Sequence, residues 1–144
     1  MRAVQPPPQP EDFIELDDVR LTFNDIHSVV DTFYGRIAVD PILQVPFRTV
    51  KDWPHHVVRL THFWWIRLGG RPYLPGMYNP VEKHFIAGFN PPLLRRWLAI
   101  FKKTIEEKLT PEQAILWVEI SEHMGAALSM KNESYKEIMA QQKG

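Results

Sequence analysis

The 144-residue chain contains no cysteine. Without a thiolate it cannot form a disulfide, a Cys-ligated zinc site, an iron–sulfur cluster or any other thiolate-bound metal centre. The absence of cysteine is compatible with a reducing compartment, and we expect a cytoplasmic location.

An excess of charge of either sign is also absent, because 17 basic residues are matched by 17 acidic ones. A chain with no net positive field is a poor ligand for nucleic acid or an anionic membrane surface. No run approaches the roughly 18 apolar residues of a membrane span, and the N-terminus lacks an apolar signal core. We therefore expect neither a nucleic-acid partner nor a membrane partner.

Several metal and phosphate motifs are missing as well. The chain has no H-E-x-x-H, no paired E-x-x-H and no glycine-rich phosphate loop. His55 and His62 lie seven residues apart and would share a helix face, but two ligands without a third are weak evidence for zinc. The chain has no long heptad pattern, which disfavours a coiled coil, and we expect a monomer.

Aromatic residues, in contrast, are abundant, with eight Phe, five Trp and four Tyr in the chain. Wide, flat side chains in a small protein either line a site for a flat ligand or enlarge a small core. Composition alone leaves both interpretations open.

Composition along the chain predicts three regions. Residues 1–20 begin with four prolines in the first ten positions and are expected to be a largely extended N-terminal extension. Residues 21–130 carry the apolar pattern of one compact domain, and residues 131–144 form a polar tail. No segment shows a credible strand alternation, so we predict an all-α protein.

Four helices are predicted from their apolar periodicity and end signals. Thr22 or Asn24 would cap the first helix, and Asp40-Pro41 would end it. The second helix would run from about Asp52 to Leu68, before Gly69-Gly70. Asn90-Pro91-Pro92 would open the third, and the Thr110–Gln113 capping box the fourth.

Taken singly, the candidate functional residues have ordinary structural interpretations. His56, Leu60 and Trp64 form one face of the second helix, and Trp97 lies on the apolar face of the third. His84 sits in a short element around residues 80–85, between proline-rich breaks. It is either a surface histidine or a residue that a ligand or metal holds in place.

In order and spacing, however, these residues resemble the third group of truncated haemoglobins, over roughly Ile26 to Met130. The resemblance rests on short motifs spread over four predicted elements. These are Phe33-Tyr34, Pro46-Phe47, Trp53 with His56, Phe63-Trp64, Lys83-His84, and Trp97-Leu98 with Phe101.

The resemblance implies the two-over-two helical sandwich of truncated globins with one haem b. His84 would be the proximal iron ligand, and thus the metal-binding residue. Tyr34, His56 and Trp97 would supply hydrogen-bond donors on the distal side. The remaining cofactor-binding residues would be Phe47 on the porphyrin face and Leu60 and Trp64 in the pocket wall.

The implied function is reversible binding of dioxygen, nitric oxide and carbon monoxide. Three donors suit a pocket that holds and polarises oxygen, which favours nitric oxide dioxygenase or peroxide chemistry over bulk oxygen transport. An enzyme would need a reductase partner to re-reduce the iron. The alternative interpretation is a haem-free helical interaction module.

Overall fold

The structure, a computed structural model, describes residues 6–48, 50–75 and 91–126. In this part of the chain a β-hairpin precedes four helices. The elements are β1 (Phe13–Leu16), β2 (Val19–Thr22), α1 (Phe23–Val39), α2 (Trp53–Arg67), α3 (Pro91–Lys108) and α4, of which residues 111–126 are described. The predicted short element around residues 80–85 and the predicted tail at 131–144 lie outside the described residues.

The β-hairpin corrects the prediction that the chain contains no strand. β1 and β2 are antiparallel, and Asp17 and Asp18 join them with φ angles of 51° and 62°. Two consecutive positive φ angles are the signature of a type I′ turn, whose twist matches that of the strands. Ile14 and Leu21 are paired across the hairpin and buried. The predicted end of the extension at residue 20 therefore falls within β2.

Helix α1 begins with a complete capping box. The Thr22 hydroxyl accepts a hydrogen bond from Asp25 N at 3.0 Å, and Thr22 N donates to the Asp25 carboxylate at 3.0 Å. Of the two predicted caps, Thr22 is the one used. The helix ends at Val39 with Asp40 as its C-cap, as Asp40-Pro41 predicted.

The other helix boundaries also agree with the sequence signals. Asp52 caps α2 by accepting from His55 N at 3.1 Å, and Gly69 follows the helix with φ of 114°. Helix α3 begins at Pro91. Thr110 and Gln113 form the predicted capping box at the start of α4, with side-chain to backbone distances of 3.1 and 3.3 Å.

The core lies where α1 packs against α2 and α3. Its centre is built from large rings: Phe101 of α3 lies 5.3 Å from Trp64 and 5.7 Å from Trp117 of α4, measured between ring centroids. Both tryptophans are at most 1% exposed. The predicted all-α class is therefore confirmed, with the hairpin as a small addition.

Among the described helices, none combines the length and the apolar character that crossing a bilayer requires.

Candidate functional site

Four rings meet where α1, the turn after it and the start of α2 come together. They belong to Tyr34, Phe47, Trp53 and His56, which we call the ring cluster. Every pair of these rings has centroids within 6.3 Å. The shortest separation joins Tyr34 and His56, whose rings meet edge to face at 4.9 Å and 88°. Three predicted site residues are thus in mutual contact.

Local sequence explains how these rings come together. Tyr34 is on the buried face of α1 and is 3% exposed. Trp53 is the first residue of α2, and His56 follows it by nearly one turn, so both project from the same end of that helix. Trp53 was not predicted as a site residue, although its three-residue spacing from His56 was the available signal.

Trp97 of α3 connects to the ring cluster through Phe33. The Phe33 ring lies edge-on to Trp97 at 5.1 Å and edge-on to Tyr34 at 4.8 Å. Trp97 is 3% exposed. Phe33, which the sequence singled out only as part of the Phe33-Tyr34 motif, therefore lies between two of the predicted donors.

Leu60 and Trp64 follow His56 along one face of α2, at successive steps of four residues. Both are buried, and Trp64 packs on Phe101, whose ring in turn lies 5.1 Å from Trp97. The structure thus joins Trp64 to Trp97 through a shared neighbour. Leu60 belongs to the same buried core.

His84, the predicted iron ligand, lies outside the described residues. Within residues 6–48, 50–75 and 91–126, no group of three His, Asp or Glu side chains could hold a metal ion. The described part therefore contains the predicted donors and walls of the site, and the role of His84 stays a prediction.

Among the described residues, His62 is the one buried histidine, on the α2 face that packs against the segment after the helix. Its Nε2 accepts hydrogen bonds from Tyr73 N at 3.1 Å and Leu74 N at 3.2 Å. Burial lowers the pKa of His62, which favours the neutral ring that these contacts require. Burial also raises the pKa of Tyr73, whose ring meets His62 edge-on at 4.6 Å, to about 12.

Asp40 and Arg96 form an ion pair between the end of α1 and the start of α3. Arg96 donates from Nε and Nη2 to the two carboxylate oxygens, at 2.7 to 3.1 Å. These hydrogen bonds are the largest cause that lowers the pKa of Asp40, and desolvation opposes them. No signal in the sequence singled out this pair.

The described helices, packed around one aromatic core, have the arrangement of a globin. The structure is similar to the crystal structure of group III truncated hemoglobin from Campylobacter jejuni, with a TM-score of 0.67 over 81% of this chain and 93% of that chain. The two sequences are 18% identical, so the similarity establishes the fold. No protein-family model and no curated protein matches the sequence. The predicted globin-like fold, the two-over-two sandwich of truncated globins, is confirmed.

Proposed function

We propose that this chain is a haem b protein that binds diatomic gases reversibly. The observation that carries the proposal is the contact between Tyr34 and His56 inside the ring cluster, in a chain with a truncated-globin fold. Two side chains that can donate hydrogen bonds are thereby held together by apolar rings. Trp97 adds an indole N–H on the other side of Phe33.

The chemistry of these residues fits a haem site. Phe47, Leu60 and Trp64 offer ring and aliphatic surface to a flat macrocycle, and His84 would supply an imidazole as the axial ligand. Haem, when bound, would supply an iron that accepts dioxygen, nitric oxide or carbon monoxide. The absence of cysteine excludes a thiolate axial ligand.

The chain's own residues would then control how long a gas stays. A phenol O–H, an imidazole N–H and an indole N–H can each donate to a partly negative oxygen atom. One such bond contributes about 1.5–3 kcal/mol, which corresponds to roughly ten- to a hundredfold slower release. Retention of this kind suits conversion of nitric oxide or peroxide better than oxygen delivery. A reductase partner would be required for turnover.

The first test is the visible spectrum of the purified protein, before and after addition of hemin. A Soret band that shifts with carbon monoxide is expected. His84→Ala should lose haem or its strong-field axial ligand, whereas His56→Ala should keep haem and release the gas faster. A protein that retains no hemin after gel filtration would refute the proposal and favour a haem-free interaction module.

The donor role is tested most cleanly by Tyr34→Phe, which removes a hydroxyl and keeps the ring. Oxygen release should become about ten- to a hundredfold faster, as measured by stopped-flow displacement with carbon monoxide. Tyr73→Phe is the matched control, because Tyr73 is also buried but contacts Phe23 and His62. Equal release rates in the two variants would contradict a donor role for Tyr34.

The enzymatic part of the proposal needs a separate experiment. The reduced, oxygen-saturated protein is mixed with nitric oxide, and nitrate formation is followed with the visible spectrum. Rapid, stoichiometric conversion to nitrate is expected. A protein that binds oxygen but remains inert to nitric oxide would exclude the dioxygenase activity and leave gas binding intact.

A further inference from the structure

The Asp40 carboxylate stands where three parts of the described chain meet. It follows the last residue of α1, begins the turn over residues 41–48, and is reached by Arg96 from α3. One of its oxygens accepts from Ile42 N at 3.0 Å and from Leu43 N at 2.8 Å. The same oxygen accepts from Arg96 Nε at 2.9 Å. A single carboxylate thus links a helix end, a turn and a second helix.

We propose that the Asp40–Arg96 pair is a positioning device that sets the placement of Phe47 relative to Trp97, and so sets how long a gas is retained. The inference deepens the proposed function. The effect of the pair on gas release depends on that proposed function, whereas its effect on the placement of Phe47 and Trp97 concerns the folded chain without any cofactor.

The connection to Phe47 runs through backbone hydrogen bonds. Asp40 accepts from Leu43 N, and Leu43 O accepts from Phe47 N at 3.2 Å. Gln44 N also donates to Asp40 O at 2.9 Å. The turn that carries Phe47 is therefore anchored at its beginning by Asp40, and Phe47 contacts both Tyr34 and His56.

The connection to Trp97 is by sequence, because Arg96 directly precedes it on α3. An arginine that binds a carboxylate through two nitrogens is fixed in direction as well as in distance. Successive residues of an α-helix are separated by a fixed angle about the helix axis. The two hydrogen bonds of Arg96 therefore also fix how α3 is rotated about its axis at Trp97. The buried Trp97 ring meets Phe33 at 5.1 Å, where a small rotation would change the contact.

The burial and charge of the pair favour a role in positioning the turn and α3 over a role that only stabilises the packing of the two helices. The Asp40 side chain is 9% exposed and that of Arg96 is 40% exposed. Because its pKa is lowered, the Asp40 carboxyl is ionised at neutral pH and, being buried, needs its cationic partner in place. If Arg96 no longer donates both hydrogen bonds, the Asp40 carboxylate must move to become hydrated, and the turn that carries Phe47 must move with it.

A second polar link between the same helices provides the control. Arg36 of α1 donates to Thr104 of α3 at 2.8 Å and pairs with Glu107. Thr104 lies two turns beyond Trp97, so this link ties α1 to α3 away from Phe47. A variant of Arg36 therefore loosens the helix pair without disturbing the turn.

The test compares Arg96→Lys, Asp40→Asn and Arg36→Lys in the full chain labelled with 5-fluorotryptophan. The Trp97 resonance is identified by its loss in Trp97→Phe. We expect it to shift or broaden in Arg96→Lys and Asp40→Asn, and to stay in place in Arg36→Lys. Arg96→Lys keeps both charges, so it decides the question even if Asp40→Asn does not fold.

The same variants are then loaded with hemin, and release of carbon monoxide is measured. Release should change by about threefold or more in the Asp40 and Arg96 variants and remain at the wild-type rate in Arg36→Lys. If wild type binds no hemin, the proposed function fails while the fluorine spectra still test the positioning. An unmoved Trp97 resonance in Arg96→Lys, or equal effects in Arg96→Lys and Arg36→Lys, would overturn the inference.

Discussion

His62 has its proton position fixed by its neighbours. Its Nε2 faces two backbone N–H groups, from Tyr73 and Leu74, so this nitrogen must be the unprotonated one. The proton of the neutral ring is then on Nδ1. A protonated ring would place an N–H against two donors, which is why the fold requires the neutral form.

We predict that His62→Leu lowers the free energy of unfolding by about 1–3 kcal/mol, since two buried N–H groups lose their acceptor. The substitution should also remove part of the pH dependence of the free energy of unfolding. The pKa of His62 in the folded chain lies below its ordinary 6.5, so the unfolded chain binds more protons below that pH. His62 therefore stabilises the fold fully above 6.5, and this contribution is lost as the pH falls below that value.

Urea unfolding at about pH 7.5 and about pH 5.5 measures this effect. Wild type should be less stable at the lower pH, and His62→Leu should show a smaller difference. His27→Leu, at an exposed position of α1, should keep the wild-type difference. An unchanged pH dependence in His62→Leu would contradict the assignment.

The sequence was enough to indicate Tyr34, Phe47 and His56, because each of them belongs to a short motif whose residues are close together in the chain. The structure brings these three into contact. The ion pair between Asp40 and Arg96 could not be predicted, since 56 positions separate the two residues. Long-range pairing of charges depends on the helix crossing, which no local pattern encodes.

At the scale of elements, the helices were predictable because their end signals are chemical. Thr22, Asp52 and Thr110 each supply a side-chain oxygen to an otherwise unsatisfied backbone N–H. The hairpin was missed because each strand has only four residues and its turn is Asp17-Asp18, without the glycine that usually marks positive φ.

Two glycines in the described helical framework should respond oppositely to alanine. Gly35 is exposed in the interior of α1, and a methyl group there would meet no atom within 4 Å. Gly35→Ala should raise the free energy of unfolding by about 0.5–1 kcal/mol, because the unfolded chain loses freedom. A methyl group at Gly70 would lie 2.3 Å from Trp65 Nε1.

Gly70→Ala should therefore lower the free energy of unfolding by about 1–3 kcal/mol, because the buried indole of Trp65 must move. Both values follow from urea denaturation with a common m-value. Trp65→Phe removes the indole nitrogen, and Gly70→Ala should cost less in that background. A Gly70→Ala protein as stable as wild type would show that Trp65 is free to shift.

At the scale of the whole molecule, a shared fold at 18% identity means that few positions are common and the core shape is preserved. Here that shape is maintained by rings. Each of the four described helices contributes one ring to a continuous set of contacts, formed by Phe33, Trp64, Phe101 and Trp117. Volume-conserving exchange among large apolar residues keeps a core intact while the sequence drifts. Sequence motifs therefore indicate this fold better than overall identity does.

The proposed cofactor should stabilise the molecule by mass action, because it binds the folded chain. Free hemin at a thousandfold excess over its dissociation constant would add about 4 kcal/mol, or roughly 10 °C in Tm for a chain of this size. Differential scanning calorimetry with and without hemin measures the shift. His84→Ala should reduce it, since the axial bond is lost.

Iron-free protoporphyrin IX separates the axial bond from contact with the aromatic walls. It should stabilise wild type and His84→Ala by the same small amount, because neither can form a bond to iron. Hemin should raise the Tm more than protoporphyrin does in wild type, but not in His84→Ala. Equal shifts from hemin and protoporphyrin in wild type would mean that the macrocycle binds only through Phe47, Leu60 and Trp64, and that His84 is not its ligand.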